Sequence, residues 1–430
     1  MLSRILSLSV GPAESIIPLT QCAHYGASGA GTKPVSALYM TSHQITPSLR
    51  SRIAPFIAMD VMSAAAERER AGGSVIHMEV GEPGAPVPGP AKQAAMAALE
   101  AGHIGYTQAL GRASLRERIA RFYAQTYNVD VPASRIVVTT GSSAGFLLSF
   151  LALFDAGARV AIAEPGYPAY RNILEALGLV CVPLATDGST RHVVSARMIE
   201  EAHARAPLQG VLLMSPANPT GTMMSRDDLR AICEICDRLG IAFISDEIYH
   251  GLTYEEPAQT ALAFSQSAIV VNSFSKYFCM TGWRIGWLVL PDALVRPVER
   301  LQQSLAISVP FLSQVAAEAV FDARDELESV KQSYARNRSF LMEHLPKIGL
   351  ANFHPVDGAF YVYCDIAHLT NDSSDFCKRL LAEAGVAVTP GLDFDRARGA
   401  CTMRLSFAGR EADIIEGVRR IGAWLETSSV

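Results

Sequence analysis

The strongest constraint on this chain is a recurrence of short, apolar, β-branched runs between about residues 90 and 325. They begin at Arg135 (RIVVTT), Arg159 (RVAIAEP), Val180 (VCVPLA), Gly210 (GVLLMS), Ala242 (AFISDE), Ala268 (AIVVNS) and Arg284 (RIGWLVL). Most are continuous rather than alternating, the pattern of strands buried on both faces. Helical stretches separate several of them. One opens at Ser225 with Asp227 and Asp228 in its first turn, a capping pattern that marks a helix start. The expected fold class is α/β: a large domain with a mostly parallel central sheet flanked by helices. In such sheets ligands bind beyond the carboxyl ends of the strands. The polar residues just past those ends are Ser142, Ser143, Tyr167, Asn218, Asp246, Tyr249 and the segment Ser273 to Lys276.

Beyond about residue 330 the pattern changes. GAFYVYCDI (358–366) and MRLSF (403–407) read as strands, and 373–385 and 410–426 as helices. They make a smaller α+β domain. The helical segment near 54–71 and the turn Gly81 to Gly84 are expected to join it, so that this domain is discontinuous. The expected organisation is a loosely ordered extension at 1–44 and an arm with part of the small domain at 45–89. The large domain follows at 90–325 and the small C-terminal domain at 326–430. In the extension, GASGAGTK (26–33) resembles a phosphate-binding loop. Its last two residues are in the wrong order and no strand precedes it, so it is rejected. Met40 is an alternative start.

With 430 residues, 49% hydrophobic and 18% charged, the chain is long enough for two globular domains. A net charge of −5 gives no basic footprint for nucleic acid or a membrane surface. The longest apolar run, Phe146 to Phe154 broken by Ser149, is far short of the roughly 20 residues a span needs and reads as a buried helix. Eight cysteines in a chain this long are not a disulfide framework. Cys233 and Cys236 share a helical stripe with Leu229, Ile232 and Leu239, so they read as core rather than metal ligands. A cytoplasmic setting and no metal are expected.

A lysine at a strand mouth is ordinarily just solvated. Lys276 keeps unusual company: Ser273, Ser275 and, inside a Gly-Trp-Arg-Ile-Gly frame, Arg284. Asn218-Pro-Thr-Gly221, Asp246-Glu-Ile-Tyr249 and a downstream Arg404 on an otherwise apolar strand complete the set. In order and spacing, over residues 46 to 427, these motifs resemble the pyridoxal-phosphate aminotransferases of class I/II. The resemblance implies fold type I, a pyridoxal 5'-phosphate cofactor, and transfer of an amino group from an L-amino acid to a 2-oxo acid by a ping-pong sequence. A β-eliminating lyase on the same fold and a non-catalytic regulatory protein are the alternatives.

The resemblance also assigns roles, each with a physical reason. Lys276 would form a Schiff base with the cofactor aldehyde and shuttle the substrate proton. Ser142, Ser143, Ser273, Ser275 and Arg284 would hold the phosphate, the first two at a helix start where amides and dipole favour an anion. Asp246 would pair with a protonated ring nitrogen. Tyr249 and Asn218 would donate to the phenolate oxygen, and Tyr167 would cover the ring face. Arg404 would grip the substrate carboxylate in a bidentate way, with the Gly81 amide and Asn218 completing the substrate-binding set. Tyr106 would reach the phosphate of a neighbouring subunit, which implies a homodimer with shared sites. The helix after the phosphate turn carries no cation, and Leu151 sits where one branch of the family has a lysine for dicarboxylate substrates. Aspartate, alanine, branched and aromatic substrates stay open.

Overall fold

The computed structural model describes residues 45–427. The 1–44 extension, with its 26–33 stretch and Met40, lies outside them. Residues from Pro47 onward form one compact unit. Helix α1 (Ile57–Arg70) leads to a short strand β1 (Ile76–His77). The seven apolar runs become β2 (Ile136–Thr139), β3 (Arg159–Glu164), β4 (Val180–Ala185), β5 (Gly210–Met214), β6 (Ala242–Asp246), β7 (Ile269–Ser273) and β8 (Gly286–Val289). They form one sheet in the order β2-β8-β7-β6-β5-β3-β4. β3 to β7 pair in parallel, while β8 runs antiparallel to both its neighbours.

The continuous runs are explained by two cores. Val138, Ala161, Val211, Val270 and Trp287 pack on one face of the sheet. Val137, Ile162, Leu212, Ile244, Val271 and Leu288 pack on the other. Each such aliphatic side chain contributes about 1.5–3 kcal/mol through burial. β4 departs from this reading. It is one of the two end strands of the order, and there Leu184 is buried while Val180 is 40% exposed. β8 starts two residues later than expected, because Arg284 takes a left-handed backbone (φ 50°) that cannot continue a strand.

The remaining strands are β9 (Tyr361–Asp365), β10 (Val386–Ala387), β11 (Thr389–Pro390) and β12 (Thr402–Ser406). β11, β12 and β9 form an antiparallel sheet, and β10 pairs in parallel with β1. Residues 76–77 therefore add a strand beside residues 386–387. The helix expected at 373–385 is α-helical only to Arg379 and finishes as a π turn, Leu380–Ala384.

Smaller expectations hold. Ser225 and Asp228 make a reciprocal capping box on the helix Arg226–Leu239, and Cys233 and Cys236 are buried, free thiols on it. The apolar run at 146–154 lies mostly within the helix Gly141–Leu153, with Leu151 facing outward. Among the described residues no helix is long and apolar enough to cross a membrane.

Candidate active site

β2, β5, β6 and β7 end at one edge of the sheet. Because β8 runs against them, it begins at that edge, which brings Arg284 to the same place. A cavity of about 490 Å³ opens there. The large sheet lines it with Ser142, Ser143, Tyr167, Asn218, Asp246, Tyr249, Ser275, Lys276 and Arg284. Tyr361 and Arg404 close it from the smaller sheet, Gly81 from the turn after β1, and Phe56, Met59 and Met62 from α1 and its start.

At one end the turn from β2 into the helix Gly141–Leu153 presents backbone amides and the Ser142 and Ser143 side chains. Gly141 has φ 76°, and a Cβ there would lie 2.5 Å from an Arg284 guanidinium nitrogen. Gly286 is equally constrained, since its Cβ would meet the Asn272 carbonyl at 2.7 Å and the Ser142 nitrogen at 3.1 Å. The two glycines let Arg284 and the helix start converge. Thr281 also lines this end and ties its hydroxyl to the Ser275 carbonyl at 2.8 Å. Ser273 is placed differently from expectation. It is buried and outside the cavity wall, and its hydroxyl accepts from the Ser275 amide at 3.1 Å and donates to the Ser275 hydroxyl at 2.9 Å. It sets the orientation of Ser275 rather than facing a ligand, because its hydroxyl is turned to Ser275 and to the Ile285 carbonyl, 3.2 Å away.

At the other end Asp246 is 1% exposed. It accepts from the Ile248 amide at 3.0 Å and from the Tyr170 hydroxyl. Burial nonetheless pushes its carboxyl up to about 7. Lys276 stands between the two ends, its amine donating to the Gly81 carbonyl. Burial first, then Arg404 and Arg284, lower its pKa to about 8, against the opposing pull of Glu82. The Tyr249 hydroxyl lies 2.6 Å from that of Tyr361, and burial raises its pKa well above the usual range. Tyr167 is pushed up to about 12 by burial and meets Phe56 edge-on.

Arg404 on β12 is buried and donates to the Asn218 amide oxygen at 2.9 Å, to the Thr389 hydroxyl at 3.1 Å and to the Glu79 carbonyl. The Tyr361 and Phe394 rings lie 4.5 and 4.7 Å from its guanidinium carbon. Its buried Nε has no hydrogen-bond partner. A guanidinium removed from water without a carboxylate costs several kcal/mol, so the site is built to receive an anion. Gly81 is bare because the Tyr361 hydroxyl occupies the place of a Cβ, only 1.7 Å from it. Tyr106 is not at the cavity: it is 83% exposed on the surface.

The donor set therefore suits a compact ligand with an anion at one end, a carbonyl carbon near Lys276 and a basic nitrogen near Asp246. A second anion fits at Arg404. Tyr170, Thr281 and Tyr361 were not singled out from the sequence. Tyr170 was findable, since it lies three residues after Tyr167 on one helix face. So was Tyr361, two residues before Tyr363, which pairs with Arg404.

The model of the family described as "Aminotransferase class I and II" matches residues 74–421. A relative named valine–pyruvate aminotransferase, from Mycobacterium tuberculosis, is 49% identical over 88% of this chain and 98% of its own. The crystal structure of an aminotransferase from the same organism superposes with a TM-score of 0.87 at 48% identity, covering 89% of this chain and 100% of that one. Aspartate aminotransferase from Thermus thermophilus with maleate superposes at 0.84 and 29% identity, over 88% of this chain and 99% of that one.

Proposed function

Because this chain belongs to the class I and II aminotransferase family and is a transaminase, we propose that the cavity takes up pyridoxal 5'-phosphate, which this family uses. When bound, the cofactor supplies an aldehyde that joins amino groups and a ring that withdraws electrons from the carbon bearing the nitrogen. Arg284, the Ser142 and Ser143 turn, Ser275 and Thr281 hold the phosphate, with Ser273 behind Ser275. Asp246, oriented by Tyr170, would pair with the ring nitrogen and favour its protonated form. Tyr249 and Asn218 donate to the ring oxygen, and Tyr167 covers the ring.

Lys276 would be the residue that holds the cofactor aldehyde, and its Nζ would carry the substrate α-proton. A pKa lowered to about 8 leaves part of it neutral for that work. Arg404 and the Gly81 amide hold the substrate carboxylate and so aim the α-hydrogen at Lys276. The observation that carries this reading is the cavity itself. Among the described residues it brings three cations without a carboxylate partner, Lys276, Arg284 and Arg404, together with buried Asp246. The β-eliminating and regulatory alternatives are not favoured by the relatives.

Of the substrates, an apolar amino acid and pyruvate have the best support. The related enzyme is named for valine and pyruvate, and the α1 side of the cavity is Phe56, Met59 and Met62. Arg404→Lys tests the carboxylate grip. Lysine cannot form the bidentate pair, so kcat/KM for valine with pyruvate should fall by about a hundredfold or more while the cofactor stays bound. An unchanged kcat/KM would refute the assignment.

We also assign a homodimer. Exposed Tyr106 stands with Ile104, Leu305 and Ile307, themselves 46–57% exposed, and the Thr107 amide bonds the Ser308 hydroxyl at 3.4 Å, joining the two segments. Residues 45–89 and 326–430 would form the smaller lobe, supported by the β1–β10 pairing, and the free cysteines suit the cytoplasm.

Two pKa shifts set a pH dependence in the cofactor-free protein. Asp246 is raised to about 7 when folded, so stability falls as pH rises from about 4 to 7, where the unfolded chain loses this proton first. Lys276 is lowered to about 8, so its cost is relieved only as pH rises from about 8 towards 10.5. The pair opposes folding most between pH 7 and 8. Cofactor relieves both, and its gain in Tm should be larger at about pH 7.5 than at about pH 5. Equal gains would contradict the linkage.

A further inference from the structure

We infer that Asp393, which lies outside the cavity wall, fixes the width of the subsite for the substrate side chain by holding the first turn of α1. The inference rests on the transaminase reading and on Arg404 as the carboxylate anchor. The first amides of a helix have no partner within it. In α1 the residue before the helix, Phe56, offers no side-chain cap. Asp393 supplies one from more than 330 residues away: its two oxygens accept from the Ile57 amide at 3.0 Å and the Ala58 amide at 3.2 Å. Its carboxylate is 4% exposed and sits at the positive end of the helix dipole.

What this cap holds is the apolar wall. Phe56, Met59 and Met62 face the cavity from α1 and its start. Methionine side chains adapt readily, so the backbone of this turn decides how far the wall stands from the substrate. Asp393 is also the neighbour of Phe394, whose ring lies 4.7 Å from the Arg404 guanidinium carbon. One short loop thus carries a support of the carboxylate grip and the clamp on the side-chain wall. The distance between those two points is the length an amino acid must fill. The segment just before α1 is tied to the helix Pro168–Ala176 by Asn172, whose amide donates to the Ala54 carbonyl at 3.2 Å.

The test uses the cofactor-loaded protein and kcat/KM for alanine, valine and leucine with one oxo acid. Asp393→Ala should lower the leucine-to-alanine ratio by about tenfold or more, the scale of one or two methylenes in an apolar pocket. Asp393→Asn, which keeps one acceptor oxygen, should fall between wild type and Asp393→Ala, and Met59→Ala should move the ratio the same way. Asp393 also lies in the field of Arg404 and Arg171. A loss acting through Arg404 would fall equally on every amino acid, and that result would overturn the inference, as would an unchanged ratio. Should Asp393→Ala fail to fold, the Asn and Met59 variants carry the same decision. Failure of the transaminase reading would show separately, as wild type reacting with none of the three.

Discussion

Lys276→Ala should yield a folded protein that lacks the yellow chromophore of the linked cofactor and has lost at least about 10⁴-fold in turnover, the upper range for removing a positioned proton carrier. The loss should exceed that of any other single change, because in the proposed reading one amine would serve both as the attachment point and as the base. Folding should survive. The Lys276 side chain makes one hydrogen bond, to the Gly81 carbonyl, and its removal also relieves the cost of a buried cation. A melting temperature equal to or above that of the cofactor-free wild type is therefore expected. Lys276→Arg, which keeps the charge but has no amine to condense, should be as inactive. An intact chromophore in either variant would remove Lys276 from the centre of the site.

Asp246→Asn should be the next most damaging change, by about 10²–10³-fold in kcat, the scale of losing one pre-placed electrostatic partner. The amide can occupy the same space and keep the Ile248 contact, but it carries no charge to hold a proton on a ring nitrogen. Its effect should fall on kcat more than on KM, since in the proposed reading Asp246 would contact the cofactor rather than the amino acid. Tyr170→Phe removes only the hydroxyl that donates to Asp246 and should cost less. A kcat within twofold of wild type for Asp246→Asn, with cofactor bound, would show that the carboxylate has another role.

Much of this was legible in the sequence because parallel sheets impose a simple rule. Strands buried on both faces must be written in continuous apolar residues, and polar groups just beyond them have one edge to go to. That rule located Asp246, Lys276 and Asn218. What it could not supply was pairing. β8 runs against its neighbours, and this alone puts Arg284 beside Gly141, a contact between residues 143 positions apart in the chain. Ser273 carried the right residue type, yet its hydroxyl turns to Ser275 and the Ile285 carbonyl. Tyr361 could be picked out two residues before Tyr363 on its strand, but its proximity to Tyr249 and Arg404 depends on how the smaller sheet closes on the larger. Asp393 was invisible for the same reason, since a cap delivered from a distant loop leaves no local pattern.

The central claim is that this site moves an amino group in two separable halves. The most direct test adds L-valine alone, without any oxo acid, to the cofactor-loaded protein and follows its absorbance. The account predicts conversion to the pyridoxamine form, with 2-oxoisovalerate released in proportion to the protein sites, and recovery of the original spectrum when pyruvate is added. Release of ammonia, or no response of the spectrum to valine or any other amino acid, would contradict it.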